Sequence, residues 1–306
     1  MSALRTLLEG RLDYAGLFPP AALGMAEAWH TFQRHRGAEE AWLLGAFVCP
    51  ANRLNELLAF PSATDTPFAV SLLAGGTEAE LESASQDWES FRRGAATAVE
   101  LRAWELRLPL EAATDPGPWV RRGARLPGRA PRFFEAGGEW SAQALEALAR
   151  VLEDQREPAP VGLKLRCGGL KPSDLPSVDA VASVLSLASR HQLPLKLTAG
   201  LHHPLRHQRG GGPMHGFLNV YLAALAARMP QGDEALLAEV LREEDPGAFT
   251  VEAHQLKWRD LELDDQALRK TLPWLAGHGS CSVDEPVEDL KALGWWPAPT
   301  SRKEKA

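Results

Sequence analysis

The stretches VGLKLRCGGL (161–170) and LPLKLTAGLHHPL (193–205) decide the fold. Each is a short β-like run that carries a lysine and ends in glycine. In the first, Leu163 and Leu165 alternate with Lys164 and Arg166; in the second, Leu195 and Leu197 alternate with Lys196 and Thr198. Successive side chains of a strand point to opposite faces, so each run has one apolar and one charged face. Between them, 172–192 predicts a helix with Val178, Val181, Val184, Leu185 and Leu187 on a broad apolar side. Strand, helix, strand on this scale is a βαβ unit with parallel strands. An open parallel sheet is buried on both faces and reads as apolar throughout. A leucine face backed by lysine, arginine and threonine suits a closed barrel instead. There the outward residues pack on helices and the inward ones line a central site.

The rest of the chain extends the pattern. Strands are predicted at 12–20, 41–50, 67–76, 97–104 and 131–138, and 278–294 reads as a short eighth strand and a last helix. Helices are predicted at 21–36, 51–59, 77–93 and 141–155, the last capped by Ser141. Residues 105–130, rich in proline, glycine and arginine, read as a loop or short helix, 205–213 as a mobile loop, and 215–275 as mostly helical. The expected α/β architecture is a single (β/α)8 TIM-like barrel over 1–296, with a long helical insertion at 205–275 between the last two strands. The tail 297–306 is expected to be disordered.

Composition bounds the function. With 306 residues, 45% hydrophobic and 24% charged, the chain matches an ordinary globular protein able to bury a large core. A net charge of −7 with no basic stripe argues against nucleic acid as a partner. Cys49, Cys167 and Cys281 show no metal-ligand spacing and cannot all pair, which fits a reducing cytoplasm. The N-terminus has no signal-peptide pattern, and no apolar run reaches the ~18 residues of a membrane span.

Ionisable residues recur on consecutive predicted strands: Glu100 and Arg102, Glu135, Lys164 and Arg166, then Lys196, with His202 and His203 following at once. A solvated strand face would explain any one of these. Four neighbouring strands doing so point to the barrel mouth, where strand ends converge on one site. A free lysine, with a pKa near ~10.4, is protonated and a poor nucleophile. A second cation nearby disfavours the charged form, so Lys196 and Arg166 are expected to lower the pKa of Lys164. Glu100 or Glu135 could then move protons. A network of salt bridges among the same residues would look identical in sequence.

His202 and His203 are adjacent and point apart on a strand end. His215 opens a predicted helix with Asn219 one turn on, where the positive helix end favours neutral imidazole. Glu100, Glu135 and a histidine could hold a divalent metal, although no HxH or HExxH spacing is present. Asp13 and Tyr14 leave two readings open, part of a substrate pocket or a turn. GGLKPSD (168–174) reads either as backbone N–H groups open to phosphate or as a plain turn, with Ser173 placed to cap the next helix. Asp284, Glu285, Glu288 and Asp289 open the last helix and read as structural, offsetting its dipole.

On Lys164 with Gly168, Lys196 with Gly200, and Gly279-Ser280-Cys281-Ser282, the chain resembles the class I aldolases of the deoxyribose-phosphate aldolase type. Glu135 on the fifth strand resembles a glutamate of that family. The resemblance implies a Schiff-base lysine at Lys164, an amine-tuning lysine at Lys196, and no cofactor or metal. It covers 160–204 and 278–283. Glu100 stands where the family has an aspartate, the family's Gly-Gly is here Gly200-Leu201-His202, and 201–277 is longer than the family's link. The chain also resembles a bacterial family with a GLHHP-like signature, here Gly200–Pro204.

The expectation is a lyase acting on a small anionic carbonyl metabolite, with Lys164, Lys196, Glu100 and Glu135 catalytic. Arg102, Arg166, Gly168, Gly169 and Thr198 are expected to bind substrate, with His202, His203, His215, Asn219 and Ser280 beside them. A homo-oligomer is expected. Two alternatives are a metal-dependent lyase or isomerase using Glu100, Glu135 and a histidine, and a non-catalytic barrel that binds an anionic metabolite or a protein.

Overall fold

Eight parallel strands close on themselves in chain order. In this computed structural model, which describes residues 2–60, 67–95, 98–137, 140–155, 159–209 and 212–297, they run as follows. The first four are Leu12–Tyr14, Leu44–Pro50, Phe68–Ala74 and Val99–Leu108. The last four are Arg132–Ala136, Val161–Arg166, Leu195–Thr198 and Leu275–Ser280. The eighth pairs back onto the first through Leu12↔His278 and Tyr14↔Ser280. The chain is therefore the expected (β/α)8 barrel. The end of the predicted tail, 298–306, lies outside the described residues.

Helices cover the outside of this barrel because the outward strand positions are apolar. Leu163 and Leu165 share one buried cluster with Val181 and Leu185 of the helix Val178–Arg190. Each such side chain contributes roughly 1.5–3 kcal/mol on burial. Ser141 caps its helix as predicted, accepting from the Ala144 amide at 3.1 Å. The helix after the sixth strand is capped by Ser177, not Ser173.

The segment after the seventh strand departs from the helical expectation. It begins with paired strands, His207–Arg209 and Gly212–Met214, where a loop was expected. Two helices follow, Phe217–Ala226 and Glu234–Arg242. The first is buried at every residue, as a helix apolar on all sides but for Asn219 and the Tyr221 hydroxyl must be. Next come three antiparallel strands, Phe249–Val251, Gln255–Trp258 and Leu261–Asp264. Their period is two: Leu256, Trp258, Leu261 and Leu263 are buried, while Lys257 and Glu262 pair across the outer face. That alternation makes them strands. No helix among the described residues is long and apolar enough to cross a membrane.

Candidate active site

The fourth strand decides which carboxylate enters the barrel. Its pairing with the third skips Arg102: Leu101 faces Val70, and Ala103 faces Ser71. A bulge of this kind resets the alternation. Beyond it, Trp104 and Leu106 are buried in the core, and Glu105 enters the mouth. The strand also continues to Leu108, so its C-terminal end lies well beyond Glu100. Glu100 is exposed and shares a small cavity at the opposite end with Arg36 and Arg102. Arg102 donates there to the Gly10 carbonyl at 2.5 Å. The structure thus moves Glu100 and Arg102 away from the site and puts Glu105 in it.

Around Glu105 the buried charges alternate in sign. Lys164 and Lys196 are direct cross-strand partners, yet a carboxylate lies between their ammonium groups. Lys164 Nζ is 2.9 Å from Glu105 Oε2 and 3.1 Å from Glu135 Oε2. Lys196 Nζ is 3.5 Å from Glu105 Oε1 and also meets Asp13 Oδ2. Ser71 Oγ donates to Glu105 Oε1 at 2.6 Å, and the Ala46 amide donates to Asp13 Oδ1 at 2.6 Å. Arg166 Nε reaches Glu135 Oε1 at 3.2 Å. The sequence Asp13, Lys196, Glu105, Lys164, Glu135, Arg166 is a ladder of three anions and three cations. It draws on the first, fourth, fifth, sixth and seventh strands.

The ladder sets the protonation states. Burial would push the Glu105 carboxyl up, but Lys164 and Lys196 outweigh it and hold its pKa down at about 2. Burial likewise opposes ionisation of Glu135, and Lys164 and Arg166 hold it below its ordinary range. For Lys164, burial favours the neutral amine, but Glu105 and Glu135 prevail and raise its pKa. This reverses the expected depression. The cations of Lys196 and Arg166 are near in sequence pattern, but the carboxylates are nearer in space.

Above the ladder opens a cavity of about 900 Å³. Glu105, Lys164, Arg166, Thr198 and His202 line it, as do Gly169 and Gly200. Phe18, Leu170, Leu175 and Met214 give it apolar walls, and Lys171 and Cys281 add polar ones. Gly168 has a packing reason: a Cβ there would stand 2.8 Å from Gly200 Cα, so the loops after the sixth and seventh strands meet backbone to backbone.

Other predicted residues do different work. His203 Nδ1 lies 2.5 Å from Asp289 Oδ2, turned away from the cavity as the adjacent-residue argument required. His215 precedes its helix rather than opening it, and its Nε2 lies 2.9 Å from the Pro176 carbonyl. Asn219 accepts from the Arg206 amide and donates to the Val240 and Glu243 carbonyls, pinning the insertion. Ser280 is buried and donates to the Ser282 carbonyl at 2.6 Å. Among the described residues, no three His, Cys, Asp or Glu side chains converge as a metal-ligand set. Glu100 is at the wrong end for the proposed set, and the Lys164 ammonium occupies the position between Glu105 and Glu135.

Sequence reasoning missed Glu105 and Ser71 and left Asp13 undecided. A signal for Glu105 was present. The fourth strand repeats Glu-Leu-Arg, at 100–102 and at 105–107, and the second copy lies nearer the strand's end at Pro109.

No protein-family model matches the chain, and no curated protein matches it. Among solved structures it is similar to a deoxyribose phosphate aldolase from Aeropyrum pernix, described as having a unique tetrameric structure. The two share 12% identity over 96% of this chain and 100% of that chain, with a TM-score of 0.49. A likeness of that degree carries no argument about chemistry, which must come from the side chains of the mouth.

Proposed function

We propose that the barrel mouth is the active site of an aldolase-type lyase in which Lys164 forms a Schiff base with a small carbonyl metabolite. The observation that carries this reading is the position of Lys164. Its buried amine lines the cavity and touches two carboxylates, one of which, Glu105, lines the cavity too. Lys196 is more deeply buried behind Glu105 and does not line the cavity. Arg166 and Lys171 on the cavity wall suit a substrate that carries an anionic group.

The chemistry needs a neutral amine, and the ladder holds an ammonium. The first step is therefore a proton transfer from Lys164 Nζ to Glu105 as the carbonyl enters and loosens the ion pair. The amine attacks the carbonyl carbon. The resulting carbinolamine loses its hydroxyl as water, taking the proton back from Glu105, and an iminium remains. When the carbon–carbon bond breaks, its electron pair passes into the iminium while a carboxylate takes the proton of the departing alcohol. Glu105 thus takes the proton-moving role that the sequence reading gave to Glu100 or Glu135.

A second reading is favoured by the complete pairing of the ladder and the raised pKa of Lys164. In it the barrel binds an anionic metabolite without covalent chemistry. The deciding experiment is incubation with a panel of small aldehydes and ketones plus borohydride, read by intact mass. The lyase reading expects a stable adduct in the wild type and in Lys196→Arg, and none in Lys164→Arg. No adduct from any carbonyl on folded protein, or an adduct that survives Lys164→Arg, would leave the binding reading.

A further inference from the structure

The cavity has a second reactive corner, built from the eighth strand, the loop after the seventh and the last helix. Cys281 follows the eighth strand directly and lines the cavity. Its Sγ lies 3.9 Å from His202 Nε2. The other nitrogen of that ring, Nδ1, lies 3.2 Å from Glu285 Oε2 and 3.2 Å from Ser280 Oγ. Sulfur, imidazole and carboxylate are thus in line, with the histidine almost wholly buried between the other two. Glu285, which the sequence reading assigned to the helix dipole, instead orients a ring.

We propose that Cys281, His202 and Glu285 form a thiol–imidazole–carboxylate relay that makes Cys281 a covalent-modification site for small electrophiles entering the barrel mouth. The carboxylate fixes the tautomer with the proton on Nδ1, which leaves Nε2 as the acceptor facing the thiol. The thiol proton passes to Nε2. The thiolate then forms a bond to the electrophilic carbon, the leaving group departs with the electron pair of its own bond, and the imidazolium returns its proton to solvent.

Further ionisable groups lie near the relay. Tyr14 on the first strand lies within electrostatic reach of Cys281 and of Asp284. Asp284 is itself paired with Arg34 at 3.2 Å. The carboxylate of Glu285 is separated from sulfur by the imidazole, so it stabilises the imidazolium more than it repels the thiolate. The other two cysteines are inert by comparison: burial pushes the thiols of Cys49 and Cys167 up to about 12. The relay does not depend on imine chemistry, and the two are read on different residues, Cys281 and Lys164.

The test is the rate of alkylation by iodoacetamide between pH 5 and 9, resolved by peptide mapping, with glutathione as reference. A free thiol of pKa about 8.5 is about 1% thiolate at pH 6.5. A thiol brought to about 6.5 is half thiolate, and after its lower nucleophilicity reacts about fivefold faster than the reference. The expected result is that excess rate at Cys281, lost in Cys281→Ser, with Cys49 and Cys167 unlabelled. His202→Gln should move the midpoint of the profile back to about 8.5 or higher. Glu285→Gln, at a half-exposed helix position, should move it the same way by less, and it decides the matter if His202→Gln exposes the buried cysteines. A wild-type midpoint at or above about 8.5, or a profile unchanged by Glu285→Gln, overturns the relay.

Discussion

Glu105 Oε2 lies 2.9 Å from Lys164 Nζ, and both side chains are almost wholly buried. Two lysines in register on neighbouring strands would repel each other in such a place. The carboxylate between them turns that repulsion into two attractions. Breaking a buried pair by removing one partner leaves an uncompensated charge, which costs about 3–5 kcal/mol. Glu105→Gln should therefore destabilise the protein by about that amount in urea unfolding. Glu100→Gln, exposed at the other end of the barrel, should stay within about 0.5 kcal/mol of wild type.

Acid should undo the same contact. The Glu105 carboxyl has its folded pKa depressed to about 2 from an ordinary 4.5. Its contribution is complete above about pH 4.5 and is lost as pH falls towards 2, a change on the order of 3 kcal/mol. Unfolding free energy measured against pH should fall in that window for wild type. In Glu105→Gln the fall should be shallower.

A histidine adds an earlier loss. His278 is buried on the eighth strand, with Tyr221 Oη 2.8 Å from its Nδ1 and Phe217 stacked on its ring. Burial, with His202 and Lys196 adding to it, lowers its pKa from 6.5 to about 3. Below pH 6.5 the unfolded chain takes up a proton that the folded one refuses, so stability falls by roughly 1.4 kcal/mol per pH unit until about pH 3. His215, whose pKa burial also lowers, acts in the same direction. Urea titrations at pH 6.5 and 4.5 should show this loss in wild type and a smaller one in His278→Gln.

The glycines under the cavity give a packing test. A Cβ at Gly168 would stand 2.8 Å from Gly200 Cα, where both partners are backbone and neither can swing aside. Overpacking of this kind costs about 1–3 kcal/mol. Gly168→Ala should lower the thermal midpoint. Gly128→Ala, whose Cβ would meet only Leu101 at 3.7 Å, separates crowding from backbone strain, because Gly128 has φ +82° and no tight neighbour.

The barrel was legible because its signal is local. Leu163 and Leu165 against Lys164 and Arg166 show both the period and the two faces within six residues. Lys164, Arg166, Thr198, Gly169 and His202 all line the cavity for the same reason. Glu100 misled because the fourth strand runs on to Leu108, four residues past its predicted end, which leaves Glu100 at the far end of the barrel. Glu105 was missed because a bulge cannot be seen in a single strand's sequence. It belongs to the pairing with the third strand, and one skipped residue changes which face every later side chain occupies. Asp13 was undecidable for a related reason: its partner, Lys196, is 183 positions away. The strands at 249–264 hid inside a stretch scanned for helices, although their alternation was there to be read.

The ladder has a property that shows only when its central member changes. An ammonium has three hydrogens to donate and a protonated imine has one, so an imine at Lys164, as proposed, must release Glu105 or Glu135. Neither would be stranded. Glu105 keeps Lys196 and the Ser71 hydroxyl, and Glu135 keeps Arg166. Each anion flanking Lys164 has a reserve partner on its far side. The site can therefore give up one contact during a turnover without leaving a bare charge in the interior.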